Sequence, residues 1–184
     1  IKLARQIDFT KEELRIGIDT YNRKTGEMKF MPNSEIEAPF GMEFQIVISS
    51  DKTAKLFVNP TYNITNNKYS SEYSNSGVFE EMNKMINSER ITKEGRTIAP
   101  IYTDCSTLNY GEFVDNAYYQ WYLGTDYVYI RIPWNRINFC DPSSMMVIDN
   151  SSVIDELLRD KLQITKSDGV MVSTLLLDKM NNEK

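Results

Sequence analysis

The stretch Met42-Glu43-Phe44-Gln45-Ile46-Val47-Ile48-Ser49-Ser50 places Met42, Phe44, Ile46 and Ile48 at every second position. Successive side chains of a strand point to opposite faces, so a period of two marks a strand with one face in a core. Ser49–Thr53 turns the chain, and Ala54–Val58 returns it as an antiparallel hairpin. The same period recurs at Leu14–Tyr21, where Leu14, Ile16 and Ile18 share a face. Asn22–Gly26 follows as a turn, with Gly26 suited to positive φ. Glu27–Pro32 is expected as its return strand. Residues 33–41 contain Asn33, Ser34, Pro39 and Gly41 and read as a loop.

Further along, Arg90–Thr103 reads as a hairpin around Lys93–Arg96. Tyr118–Leu123 and Tyr127–Pro133 flank the turn Gly124-Thr125-Asp126, and Val170–Leu177 is a final strand. Tyr127, Tyr129 and Arg131 face one side of their strand, and Val128, Ile130 and Ile132 face the other. Two helices are predicted. One covers Phe79–Ser88, from the spacing of Phe79, Met82, Met85 and Ile86. The other covers Ser151–Gln163, with a serine cap, early acids and later bases that suit the helix dipole. Asn59–Ser76 is rich in Asn, Tyr and Ser and reads as a long surface excursion. Short strands joined as hairpins, without regularly alternating helices, define a mainly β class. The expectation is an antiparallel β-sandwich with one or two short helices, one domain over residues 1–184 with a long loop insertion near 59–117. The opening Ile1-Lys2-Leu3-Ala4 reads as strand interior, so a piece of a longer protein is expected.

Composition narrows the chemistry. The 184 residues include no histidine, which removes Ser–His and Cys–His nucleophile pairs and histidine-ligated metal sites. The net charge is −5 with no long Lys/Arg cluster, so no nucleic-acid partner is expected. No apolar run approaches the roughly 20 residues of a membrane-spanning helix. The two cysteines, Cys105 and Cys140, leave pairing open. Phosphate-binding glycine loops, nucleophile elbows and EF-hand calcium loops are missing. Glu35 with Glu37, and Asp104 with Glu112 or Asp115, are the nearest approach to paired carboxylates, and they read as solvated loop charges.

Aromatic residues carry the stronger signal. Tyr118, Tyr119, Trp121 and Tyr122 crowd five positions before the Gly124 turn. Exposed rings stack on the flat apolar faces of sugars, while amides and acids take the hydroxyls. Buried rings would instead belong to the core, the reading that Trp134 favours. Exposure decides between the two.

The string Tyr127-Val128-Tyr129-Ile130-Arg131-Ile132-Pro133-Trp134 resembles the late strand of family 9 carbohydrate-binding modules and related DOMON-like β-sandwiches. Asn138-Phe139-Cys140-Asp141-Pro142-Ser143-Ser144 is similar to a variant in domains appended to bacterial cell-surface polysaccharide-processing proteins, and Ile16–Thr20 is similar to an early strand of the group. The resemblance implies a jelly-roll-like sandwich at the cell surface or outside the cell. It implies a sugar gripped between two rings, with Trp121 matching one by position. It also implies a structural calcium, with Asp19 by position either a calcium ligand or a structural acid; no other cofactor is expected. The insertion at 59–117 departs from the family pattern. Three functions follow. The first is a non-catalytic carbohydrate-binding or accessory module of a larger bacterial surface or secreted protein, with a polysaccharide or oligosaccharide as partner. The second is a docking domain packed against other domains of its parent chain. The third is a glycan-active enzyme using paired carboxylates.

Overall fold

The computed structural model describes residues 1–32, 35–115, 117–151 and 161–179. It is mainly β, with antiparallel sheets, and its described helical elements are short 3-10 turns. Five strands open the chain: β1 (Glu12–Asp19), β2 (Gly26–Lys29), β3 (Glu37–Met42), β4 (Phe44–Ile48) and β5 (Ala54–Val58). The central sheet runs β5–β4–β1 and ends on the C-terminal strand Met171–Asp178; Thr107–Leu108 and Glu80–Glu81 both add to β5. Its register places Ile16 opposite Ile46 and Ile46 opposite Leu56.

That register follows from the period-two pattern, since a one-residue slip would turn each apolar set to the wrong face. Leu14, Ile16 and Ile18 join Phe44, Ile46 and Ile48 and Ala54, Leu56 and Val58 in one core, closed by Trp121, Val128, Ile137, Phe139 and Val147. Each large apolar side chain so enclosed contributes about 1.5–3 kcal/mol. The opposite face of the sheet carries a second core, with Phe30, Phe40, Met42 and Phe79 packed against Phe57, Met171 and Leu175. Gly17 makes room there, because a Cβ on it would lie 2.0 Å from Met42 Sδ. The covering layer is β3–β2 plus the short strand Tyr73–Ser74, which runs parallel to β2.

The hairpin of β4 with β5, the strand at 14–19 and the final strand match the sequence pattern. Other expectations change. Segment 27–32 does not pair with β1; β2 pairs with β3, inside the segment that reads as a loop. Pro39 is tolerated because β3 is an edge strand, where a missing N–H removes no ladder bond. Phe79–Ser88 is not helical but forms Glu80–Glu81 and Asn83–Asn87. The insertion near 59–117 is not a loop. Its first part is built into the core, where Tyr62 and Asn63 are fully enclosed. Asn59 and Asn63 cap successive 3-10 turns by accepting from Thr61 N and Thr65 N. The helix expected over Ser151–Gln163 falls, over 152–160, outside the described residues. Cys105 and Cys140 are both free thiols. No helix among the described residues is long and apolar enough to cross a membrane.

Candidate functional site

Trp121–Leu123 pairs antiparallel with Val128–Ile130, so Trp121 faces Ile130 and Tyr122 faces Tyr129. Alternation sends Trp121, Leu123, Val128 and Ile130 inward. Trp121 is 0 % exposed and meets Tyr110 edge-on at 4.9 Å between ring centres. It is therefore a core residue and offers no ring face to a sugar, contrary to the stacking role expected of it. Tyr122 turns outward but is half-buried in a row of rings. It lies 6.3 Å from Tyr129 and 6.0 Å from Tyr110, with its hydroxyl donating to Glu112 Oε1 at 3.3 Å.

Beside the hairpin lies a groove of about 880 Å³, within the usual range for small-molecule sites. Its floor is rigid. Gln120 N and Trp121 N both donate to Asn109 O, Gln120 Oε1 accepts from Asn109 N, and Arg131 N donates to Gln120 O. One wall is the segment Ala117–Tyr119, where Tyr118 is 89 % and Tyr119 41 % exposed. Arg131 clamps this wall by donating from Nη2 to Ala117 O at 2.6 Å and Tyr119 O at 2.9 Å. The Tyr119 ring lies against Gly111, where a Cβ would come within 2.6 Å of it.

The other wall is the 3-10 turn Trp134–Ile137, entered through Pro133. It buries Ile137 but leaves Trp134 47 % exposed, its ring edge-on to Phe139 at 4.9 Å. The two tryptophans thus exchange the roles expected of them. Arg136, on the same turn, also lines the groove with Asp104. Hairpin parity carried the missing signal: Leu123 and Trp121 must share the face of Val128 and Ile130. An adjoining recess of about 430 Å³ shares Tyr118 and Tyr119 and reaches Tyr110.

Asp19 sits elsewhere, at the end of β1 and fully buried. Its Oδ1 accepts from Tyr21 N at 2.9 Å, and its Oδ2 lies 3.9 Å from Arg23 Nε. Beside it, Glu43 accepts from Thr20 N at 2.8 Å and from the Ser71 hydroxyl at 3.0 Å. Burial pushes Asp19 up to about 6 and Glu43 well above its ordinary value, and the two carboxyls interact through their side chains. A shared proton fits this pair, since Asp19 Oδ2 has no other hydrogen-bond partner among the described residues. Calcium does not fit. It takes 6–8 oxygen ligands, whereas here two carboxylates are held by N–H and O–H donors beside a guanidinium. Among the described residues no group of three or more acids or cysteines is placed to hold a metal. Both carboxyls are closed to solvent, so they reach no substrate in this state.

The expected loop pairs read as follows. Glu35 and Glu37 are exposed. Asp104 is engaged by Ser106 N at 2.6 Å and Thr107 N at 3.2 Å. No family model, curated protein or solved structure matches this chain.

Proposed function

We propose that this chain is a non-catalytic carbohydrate-binding module, an accessory part of a larger bacterial surface or secreted protein. One observation carries the reading. Tyr118, Tyr119 and Trp134 are exposed around a single groove whose walls also supply Asp104, Asn109, Arg131 and Arg136. Rings that stack on sugar faces, with polar groups beside them for hydroxyls, are what such recognition requires. Among the described residues, Asp104 is the one carboxylate lining this groove.

The test is tryptophan fluorescence titrated with bacterial and plant polysaccharides. Trp121 is enclosed and Trp134 open, so a bound sugar changes the Trp134 signal alone. The expected result is a saturable change, weakened about tenfold or more, roughly 1.4 kcal/mol, by Tyr118→Ala with the fold intact; Trp134→Ala, which lacks the reporting ring, is titrated by calorimetry and should weaken binding at least as much. No response across the panel would overturn the reading.

A second reading, docking to a neighbouring domain, has its own observation. Asn83–Asn87 pairs with Ile101–Asp104 and Arg90–Ile91 with Thr97–Ile98. The ribbon so formed exposes Ile86, Ile91, Ile101 and Tyr102. A two-stranded ribbon is marginal alone in water, so a covering surface would steady it. A silent titration would favour this reading.

A further inference from the structure

The charges in the groove run against those of the chain. The protein carries 26 acids against 21 bases, yet the groove is lined by two arginines and one aspartate. Elsewhere the guanidiniums of Arg5, Arg15 and Arg23 face carboxylates: Glu12 for Arg5, Glu13 for Arg15, and Asp19 and Asp168 for Arg23; Arg90 and Arg96 form no such pair among the described residues but are exposed to solvent on the ribbon. Arg131 and Arg136 form no such pair within 4 Å among the described residues. Arg131 is committed to the Ala117–Tyr119 wall, with its guanidinium 4.7 Å from the centre of the Phe113 ring. Arg136 is half-buried, and its side chain makes one long bond, from Nη1 to Thr107 O at 3.4 Å.

A partly desolvated guanidinium without a carboxylate is costly, and an incoming anion offsets that cost. Burial accordingly pushes Arg136 below its ordinary value. The nearby acid cannot serve fully, because Asp104 already accepts from Ser106 N and Thr107 N and from the Thr107 hydroxyl. A planar guanidinium on the same turn as an open tryptophan can take a carboxylate or phosphate while the ring takes the sugar face.

Resting on the sugar-binding reading, we infer that the groove selects acidic glycans, with Arg136 binding a carboxylate or phosphate substituent and Trp134 the ring that carries it. The experiment uses two matched pairs of polymers: polygalacturonate with its methyl ester, and phosphomannan with unphosphorylated mannan. Each is titrated against Trp134 fluorescence at low and high salt. The expected result is at least about tenfold tighter binding of the charged member of one pair. That preference should fall as salt rises and vanish in Arg136→Gln; the responding pair names the anion. The salt dependence of the unmutated protein reports on charge even where Arg136→Gln misfolds. Equal binding within both pairs, or a preference insensitive to salt, overturns the acidic selectivity and leaves the sugar-binding reading standing. No binding of any polymer overturns both.

Discussion

The groove between Tyr118 and Trp134 and the interior beneath β1 both concentrate residues that read as chemistry. They differ in how those residues are satisfied. Around the groove, Tyr118 and Trp134 are exposed, and Arg136 has no carboxylate within 4 Å among the described residues. In the interior, Asp19, Glu43 and Glu27 are fully buried, and their oxygens are met by backbone N–H groups, hydroxyls or each other. Glu27 accepts from Lys29 N, Ser76 N and the hydroxyls of Ser74 and Ser76. Residue type alone therefore does not separate a binding site from scaffolding. Unmet bonding capacity facing solvent does. The buried carboxylates tie β2, the turn after β1 and the 71–76 segment together, while the groove residues have capacity left for a ligand.

The two tryptophans give the largest test of this contrast. Trp121→Ala should cost about 3–5 kcal/mol, because it empties a large enclosed volume. Trp134→Ala should cost far less and remove sugar binding. Denaturant unfolding of each variant measures the first effect and polymer titration the second. Equal stability losses in both variants would erase the distinction between the regions.

The interior carboxylates make the second test, through pH. The folded-state pKa values of Asp19 and Glu43 are raised, first by burial, with Asp19 at about 6. The folded chain thus holds protons that the unfolded chain releases from about pH 4 upward. The stability from this pair is fully present below that pH; the Asp19 part is lost as pH rises through about 6, and the Glu43 part is lost as pH rises through its own raised value. For Asp19 the loss is of order 2–3 kcal/mol. Glu27 has the opposite sign. Burial alone would raise it, but its hydrogen bonds outweigh burial and hold it below 4.5. Its contribution is present above that value and is lost as pH falls. Stability should therefore peak near pH 4 and decline toward neutrality. Glu43→Gln should flatten the decline toward neutral pH, and Glu27→Gln the decline toward acid. A wild-type stability that rises steadily from pH 5 to 8 would refute the shared proton.

Much of the sheet was legible because period two and turn residues agree. Leu14–Ile18, Phe44–Ile48 with Ala54–Val58, the turn at Gly95 and the strand at 171–178 all show it. The misreadings have physical causes. Pro39 and Gly41 made β3 look like a loop. Yet Pro39 lies on an edge, and Gly41 is required because a Cβ there would meet Thr25 O at 1.5 Å. Phe79, Met82, Met85 and Ile86 imitate a helical face, but Met82 points into the core while Met85 and Ile86 hang in solvent on the ribbon. Asn59 and Asn63 looked like surface residues. Asparagine can cap a buried turn as readily as it can meet water, and composition does not record which it does. Of the aromatic cluster, Tyr118 and Tyr119 line the groove and Tyr122 does not, and the inward placement of Trp121 was not legible. Its parity relative to Leu123 decides the face, and crowding of aromatics hid that parity.

The smallest effect tests how the groove is built rather than what lines it. Tyr119 lies flat against Gly111, and an added methyl group would come 2.6 Å from its ring. The ring is 41 % exposed, so it can swing away into solvent at little cost in packing. Gly111 also has a φ of +158°, which strains an alanine, so Gly111→Ala should cost about 1–3 kcal/mol of stability while weakening sugar binding several-fold. Gly95→Ala is the control. Its φ of +77° strains an alanine, and its Cβ would meet nothing within 4 Å. It sits in the ribbon turn, so it should lower stability and leave binding unchanged. An unaltered affinity in Gly111→Ala would take Tyr119 out of the site. The ligand would then rest on Tyr118 and Trp134, the two rings carried on opposite walls.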